Sequence, residues 1–310
     1  MANQRFQDLG FGGKAAEART RLLNRDGTFN IRRKGLPFNR WFSAYHYLIL
    51  IPWWKFNLFL FAGYVAINAV FGFIYMSIGT DGLAGMDGHT LVGRYLDSFF
   101  FSTQTFTTVG YGRISPVGFA ANVTAALESL AGLLSFAFAT GLLYGRFSRP
   151  IARIIFSQHA IVSPYQDITG FMFRVANERT NQLIDIEAVL TMVRLEDDGT
   201  GKRIRKFYEL ELERQKLSFF HLSWTVVHPI TETSPLNGVT KEQLDNSDAE
   251  FLIILKAFDD TFSQTVHTRT SYKHKEVMYG RKFKGILRTA EDGMTEIDLG
   301  KIHDHEEVGM

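Results

Sequence analysis

Hydrophobic and polar positions are segregated along this chain rather than mixed, and that segregation alone predicts its elements. No charged residue falls between Phe56 and Gly79; about 24 residues rising ~1.5 Å each reach about 36 Å, enough for an outer helix over about 56–79 to cross a bilayer. From Ile114 to Gly145 the only charge is Glu128, which predicts a second crossing helix over about 118–148. Between these spans, the aromatic-rich stretch 95–106 is long enough for a short helix that re-enters the membrane. Ahead of the first span, Phe38, Trp41, Phe42, Tyr45, Leu48 and Ile49 recur at helical spacing, with Asn39, Arg40, Ser43 and His46 opposite. That is the pattern of an interfacial amphipathic helix, placed over 38–54, either an anchor or a transmitter of motion. Pro52 ends it, and Trp53, Trp54 and Lys55 mark the headgroup level. Residues 1–37 lack periodicity and read as a mobile tail.

Beyond Pro150 the period changes. Tyr208, Leu210 and Leu212 alternate with Glu209, Glu211 and Glu213, and the runs from Ser218 to Ile230 and from Glu250 to Phe258 are rich in aromatic and branched residues, as in strands. Asp197-Asp198-Gly199 and Glu291-Asp292-Gly293 read as hairpin turns. Short strands at this spacing predict a β-sandwich over 151–310. The fold class is therefore membrane α followed by all-β, with a pore-forming unit over 55–150.

Composition refines this picture. The 310 residues contain no cysteine, which excludes disulfides and thiolate metal sites. The net charge of +2 says less than its distribution. Arg32, Arg33, Lys34, Arg40 and Lys55 precede the first span, Arg146, Arg149 and Arg153 follow the second, and only Arg94 and Arg113 lie between. The positive-inside rule then places both termini in the cytoplasm. Lys55, Arg146, Arg149 and Arg153 are candidate contacts for anionic lipid headgroups. No glycine-rich dinucleotide or phosphate-binding loop is present, and nothing calls for an enzyme, a cofactor or a nucleic-acid partner.

The candidate chemistry lies between the spans, in Thr107-Thr108-Val109-Gly110-Tyr111-Gly112. An extended backbone survives at membrane depth only where its carbonyls line a polar pathway. Gly110 and Gly112 permit the required angles, so the carbonyls of Thr108, Val109, Gly110 and Tyr111, with the Thr108 hydroxyl, would replace the water around K⁺. K⁺ is then the permeant ion and the only metal. One carbonyl ladder cannot surround an ion, so a homotetramer, with three identical subunits as partners, is expected. On the second span, Gly132, Phe136, Thr140, Tyr144 and Ser148 step along a slowly rotating face. Phe136 and Tyr144 are its bulkiest members and either close the pathway as a gate or serve packing. Gly132 is either a hinge or a close-packing contact. Glu128 faces the protein interior, behind the filter or at the cavity, because lipid would not tolerate it. The contrasting reading is a non-conducting K⁺-binding sensor or transporter subunit; a single intact copy of the motif argues against it.

The chain resembles the inward-rectifier potassium channels, most closely their prokaryotic branch. The resemblance is carried by the filter and Arg113, by Tyr144-Gly-Arg-Phe-Ser-Arg-Pro150, by Phe171-Met-Phe-Arg-Val-Ala-Asn177, by Leu222-Ser-Trp-Thr-Val-Val-His-Pro-Ile230 and by Arg269-Thr-Ser-Tyr272. It implies a slide helix at Trp41 to Ile51, an immunoglobulin-like cytoplasmic domain that extends the pore, and residence in a bacterial inner membrane. Gln104 stands where many members place a glutamate, so Gln104, Thr107, Arg113 and Glu128 are the candidate filter supports. Phe136 stands where strong rectifiers carry an acidic residue, so strong block by Mg²⁺ or polyamines is not expected there; Ba²⁺ is a further expected blocker. Asp259 and Asp260, with Phe262 and Ser263, fall near the family's second, cytoplasmic constriction. His303 and His305 flank Asp304 in what reads as a solvated tail.

Overall fold

A computed structural model describes residues 20–32, 34–35, 44–148, 152–201, 203–220 and 222–309. Of the residues singled out above, Arg33, Phe38, Asn39, Arg40, Trp41, Phe42, Ser43, Arg149 and Pro150 lie outside them. The chain divides into two compact units, Lys34–Arg149 and Met1–Arg33 with Pro150–Met310.

The first unit is helical. A short helix, Ala44–Leu50, precedes Pro52. Proline has no N–H to lose at a helix start and a backbone angle suited to it, and a long helix, Trp53–Ile78, begins directly after it. Trp53 and Trp54 therefore belong to this long helix. A middle helix, Leu91–Phe106, starts four residues before the aromatic stretch because the Thr90 side chain accepts the Gly93 N–H at 3.0 Å and caps it. The second long helix, Gly118–Phe147, runs unbroken through Gly132. Both long helices are apolar and long enough to cross a membrane. A two-residue ladder, β1 (Leu83–Ala84) with β2 (Ser115–Pro116), ties the segments flanking the middle helix together.

The second unit is a β-sandwich. One sheet contains β6 (Leu183–Asp197), β7 (Arg203–Leu210), β8 (Lys216–Phe220), β10 (Glu250–Asp259) and β11 (Gln264–Lys273). The other contains β3 (Ile154–Phe156), β4 (Ala160–Tyr165), β5 (Ile168–Asn177), β9 (Ser223–Ile230) and β12 (Val277–Tyr279). Side chains from both inner faces interdigitate: Phe171 of β5 stacks on Phe251 of β10 with ring centroids 4.3 Å apart, among Phe173, Leu190, Val226 and Ile253. The Asp197 and Asp198 carboxylates accept the Gly199, Thr200 and Gly201 N–H groups and close the β6–β7 hairpin. The second acidic turn joins β14 (Leu287–Thr289) to β15 (Thr295–Ile297).

Three expectations need correction here. The run from Ser218 to Ile230 is not one strand, because β8 pairs with β6 and β9 with β5, in opposite sheets. The segment before Arg32 is not a free tail over its described part. Leu22 and Leu23 donate their N–H groups to the buried Glu250 carboxylate at 2.9 and 3.0 Å and pack on Val193 and Leu252. Arg21 and Arg25 pair with Glu276 at 2.9 and 3.1 Å. The histidines near the end are not in a solvated tail: β16 (His305–Glu307) pairs with β13 (Arg281–Phe283), and His303 Nδ1 accepts the Gln158 N–H at 3.1 Å. Both terminal segments thus cover outer sheet faces. This is why Phe171 to Asn177 is buried without the alternation of a half-exposed strand.

On the β6–β7 hairpin, burial pushes the Glu196 carboxyl up, but hydrogen bonds from Lys206, Tyr208 and Arg194 outweigh it and hold it down to about 2. A carboxylate depressed in the folded state stabilises above its unfolded value and loses that contribution as pH falls toward the folded one. Glu196→Gln is therefore expected to cost about 1–3 kcal/mol near pH 7, with the gap from the wild type closing between about pH 4.5 and 2. Denaturant unfolding followed by tryptophan fluorescence measures this, and a gap independent of pH would contradict it.

Candidate functional site

The middle helix delivers the segment Thr107 to Gly112, the candidate filter. At its end the Thr107 N–H and hydroxyl donate to the Thr103 carbonyl at 3.2 and 2.7 Å, and the Thr108 N–H to the Thr105 carbonyl at 3.1 Å. The backbone then folds back, and Val109 and Gly110 both donate to the Gln104 carbonyl, at 2.9 and 3.3 Å. Positive φ angles fall on alternate residues, 60° at Thr108, 56° at Gly110 and 82° at Gly112. Such alternation gathers N–H groups on one side of the strip and turns carbonyls to the other. Among the described residues, none of the carbonyls from Thr108 to Tyr111 accepts a hydrogen bond. A row of unpartnered carbonyls is a ligand set for water or a cation. Thr108 adopts this angle despite its branched side chain, at a cost on the order of 1–3 kcal/mol.

Two contacts one helical turn apart hold the strip from behind. Glu128, 0% exposed, accepts the Tyr75 hydroxyl at 2.7 Å and the Ser102 hydroxyl; Ser102 also lies 2.9 Å from Asn68 Oδ1. This joins both long helices to the middle one and places Glu128 behind the middle helix. One turn further, Gly132 lies directly on the Phe106 backbone, where an added Cβ would collide with the Phe106 carbonyl. Gly132 is thus a close-packing contact, since the absent side chain is what lets the two helices meet.

Arg113, just past the filter, pairs with Asp87 at 3.3 Å and Asp97 at 3.4 Å. Asp97 also accepts the Asp87 and Gly88 N–H groups at 2.9 and 2.8 Å. Asp97 escaped sequence reasoning because its partners are backbone groups of a loop; its place one and two turns before Phe101 and Gln104 on the middle helix was the available signal. Gln104 itself acts here through its carbonyl.

On the second long helix, Phe136, Thr140 and Tyr144 form an exposed stripe at intervals of four, with Ser148 half-buried at its end. Arg146 does not extend to a headgroup. Its guanidinium donates to the carbonyls of Leu48, Ile49 and Ile51 at 2.5, 3.0 and 2.7 Å and lies 4.5 Å from the ring centres of Trp53 and Phe56. It caps the short helix, as a cation suits a helix C-terminus. Lys55 is exposed, over the Trp54 ring at 5.3 Å. In the β-sandwich, Arg153 lies 3.9 Å from Glu178. Asp259 is withdrawn from the constriction set: it is fully buried and accepts Asn181 Nδ2 at 2.8 Å and the Thr261 N–H at 3.0 Å, closing the β10–β11 turn. Asp260 and Ser263 are exposed on that turn, with Phe262 at its edge.

Comparison with known proteins accords with this geometry. The model of the family described as "Inward rectifier potassium channel C-terminal domain" matches residues 154–310, and that described as "Ion channel" matches residues 59–149. The "Inward rectifier potassium channel Kirbac3.1" of Paramagnetospirillum magnetotacticum is 38% identical over 294 residues, covering 94% of this chain and 98% of that protein. "Inward rectifier potassium channel 4" of Homo sapiens is 28% identical over 70% of this chain and 51% of its own length. "G protein-activated inward rectifier potassium channel 2" of Rattus norvegicus is 25% identical over 93% and 72%.

The two supports behind and beside the filter differ in burial, which sets the expected order of their loss. Arg113→Ala removes a half-exposed ion pair and is expected to cost at most about 1 kcal/mol. Asp97→Ala takes the acceptor from the part-buried Gly88 N–H as well as from the exposed Asp87 N–H, and Glu128→Ala leaves the buried Tyr75 hydroxyl without one while Ser102 keeps Asn68 Oδ1, at about 1–3 kcal/mol for each group left unpaired away from water. Thermal unfolding of the purified protein in detergent measures the order, and an Arg113→Ala loss as large as the other two would contradict it.

Proposed function

Because the chain belongs to the inward-rectifier potassium channel family, we propose that four identical copies close around one axis and present Thr108, Val109, Gly110, Tyr111 and Gly112 to it as the K⁺-selective filter. The protein is a membrane channel for potassium and not an enzyme; the non-conducting sensor or transporter subunit finds no support among the relatives. The observation that carries the filter assignment is the row of unpartnered carbonyls with alternating backbone angles. Four such rows would coordinate a dehydrated K⁺ on all sides.

Glu128, Thr107, Gln104 and Arg113 keep the strip in register in this reading, with Asp97 added to them. Phe136, Thr140, Tyr144 and Ser148 line the path below the filter, and Tyr144, 74% exposed in the single chain, closes it when four copies converge. Phe136 supplies no negative charge, so Mg²⁺ and polyamines block weakly there, whereas Ba²⁺ competes with K⁺ in the filter. Asp260, Phe262 and Ser263 form the second constriction. The charge distribution supports an orientation with both termini on the cytoplasmic side of the membrane, a bacterial inner membrane in this reading, and the filter mouth outside. Lys55, Arg149 and Arg153 meet anionic lipid on the cytoplasmic side.

Flux of ⁸⁶Rb⁺ into liposomes tests the assignment. Uptake driven by a K⁺ gradient, resistant to competing Na⁺ and blocked by Ba²⁺, is expected; its absence across several lipid mixtures would sink the filter assignment. Tyr144→Ala is expected to raise basal uptake, and unchanged uptake would move the gate to Phe136, the β-sandwich constriction or the filter.

A further inference from the structure

A cavity of about 340 Å³ lies between the end of the first long helix and the start of the middle helix, lined in part by Tyr75, Met76, Met86, His89, Arg94 and Ser98. Ser98 is 0% exposed, yet its hydroxyl has no hydrogen-bond partner. Elsewhere in these helices, Ser77, Thr103, Thr107, Thr124 and Thr140 return theirs to a carbonyl three or four residues back. A buried hydroxyl left unsatisfied against a cavity wall points to something that fills the cavity and accepts its hydrogen bond. The charges agree. No carboxylate is among the lining residues, nearby Asp87 and Asp97 pair with Arg113, and none of the ion pairs among the described residues involves Arg94.

Apart from the Tyr75 hydroxyl, which is spent on Glu128, each polar side chain on the lining can donate: a guanidinium, an imidazole and a hydroxyl. That set fits a ligand with several acceptor oxygens and negative charge, which is a phosphate. The rest of the wall is apolar. Leu91, Arg94 and Ser98 share one face of the middle helix by their spacing, and Leu91, Val92 and Leu96 continue outward as exposed hydrophobic surface. A free anion would not use that surface, but an acyl chain would. The cavity sits beside the last turn of the first long helix, at the opposite end from Pro52. In the orientation proposed above, on which this inference rests, that is the outer headgroup level.

We propose that this cavity binds the phosphate of an anionic phospholipid from the outer leaflet through Arg94, His89 and Ser98. The bound lipid stiffens the filter support. Tyr75 forms one cavity wall while its hydroxyl holds Glu128, and Ser98 lies one turn before Ser102, the other hydroxyl on that carboxylate.

The test uses full-length protein taken from vesicles of equal phosphatidylglycerol and phosphatidylcholine, with bound lipid counted by native mass spectrometry. The wild type is expected to retain phosphatidylglycerol preferentially, Arg94→Gln and Ser98→Ala to retain several-fold less, and Arg94→Lys to keep most of it. In lipid-free detergent, added phosphatidylglycerol is expected to raise the wild-type unfolding temperature by about 2–4 °C and that of Arg94→Gln by less. ⁸⁶Rb⁺ flux of the same samples reports separately on the channel reading, so loss of one is not mistaken for loss of the other. Equal retention of phosphatidylglycerol by the wild type and Arg94→Gln would overturn the proposal. So would an equal thermal shift from glycerol 3-phosphate or inorganic phosphate, which would assign the site to a soluble anion.

Discussion

A backbone that leaves its own carbonyls unpaired cannot hold its shape through its own hydrogen bonds. The strip from Thr108 to Tyr111 is such a backbone, and much of the helical unit can be read as what keeps it in place. The N–H groups of Thr108, Val109 and Gly110 are taken by the Thr105 and Gln104 carbonyls at the end of the middle helix, so the strip is only as fixed as that helix. The middle helix is in turn held on two sides. Glu128, Tyr75, Ser102 and Asn68 form a polar knot between it and both long helices, and Gly132 seats the second long helix on its last turn. A buried carboxylate is costly unless its hydrogen bonds are met, and here meeting them fixes the positions of three helices at once.

The sequence exposed a good deal of this, but selectively. Local patterns spoke clearly: the charge-free run from Phe56 to Gly79, the lone Glu128, the filter motif and the acidic hairpin turns all correspond to features of the structure. What stayed hidden depends on residues distant along the chain. Arg146 looks like a headgroup cation from its place at the end of a helix, yet its partners are carbonyls nearly a hundred residues earlier. Asp259 looks like a pore carboxylate until β6 and β10 pair and Asn181 arrives beside it. Asp97 carries no motif because its partners are backbone N–H groups.

The β-sandwich shows the same division. Its inner faces follow from alternation, while its outer faces depend on the chain's two ends. The segment around Leu22 and Leu23 covers Leu252 and Val193. The stretch with Phe283 covers Met172 and Val227, and the Phe283 ring lies 4.7 Å from Arg174. Strands buried on both sides lose their period of two, so Phe171 to Asn177 gives no hint in sequence of which side faces the core.

The second long helix is fastened at two levels, by Glu128 and Gly132 above and by the Arg146 guanidinium below. Between them Gly141 has open space around it and Phe136 is exposed in the single chain, whereas Leu142, one turn above Arg146, is already buried against Leu48 and Phe56. Within one chain this is a beam supported near both ends, with the stretch between Leu133 and Gly141 left for neighbouring copies to brace. In a tetramer of the kind proposed above, displacement of the short helix would reach the lower support through Arg146, and curvature in the span above it would carry Phe136 and Thr140 while Glu128 and Gly132 hold the end next to the candidate filter.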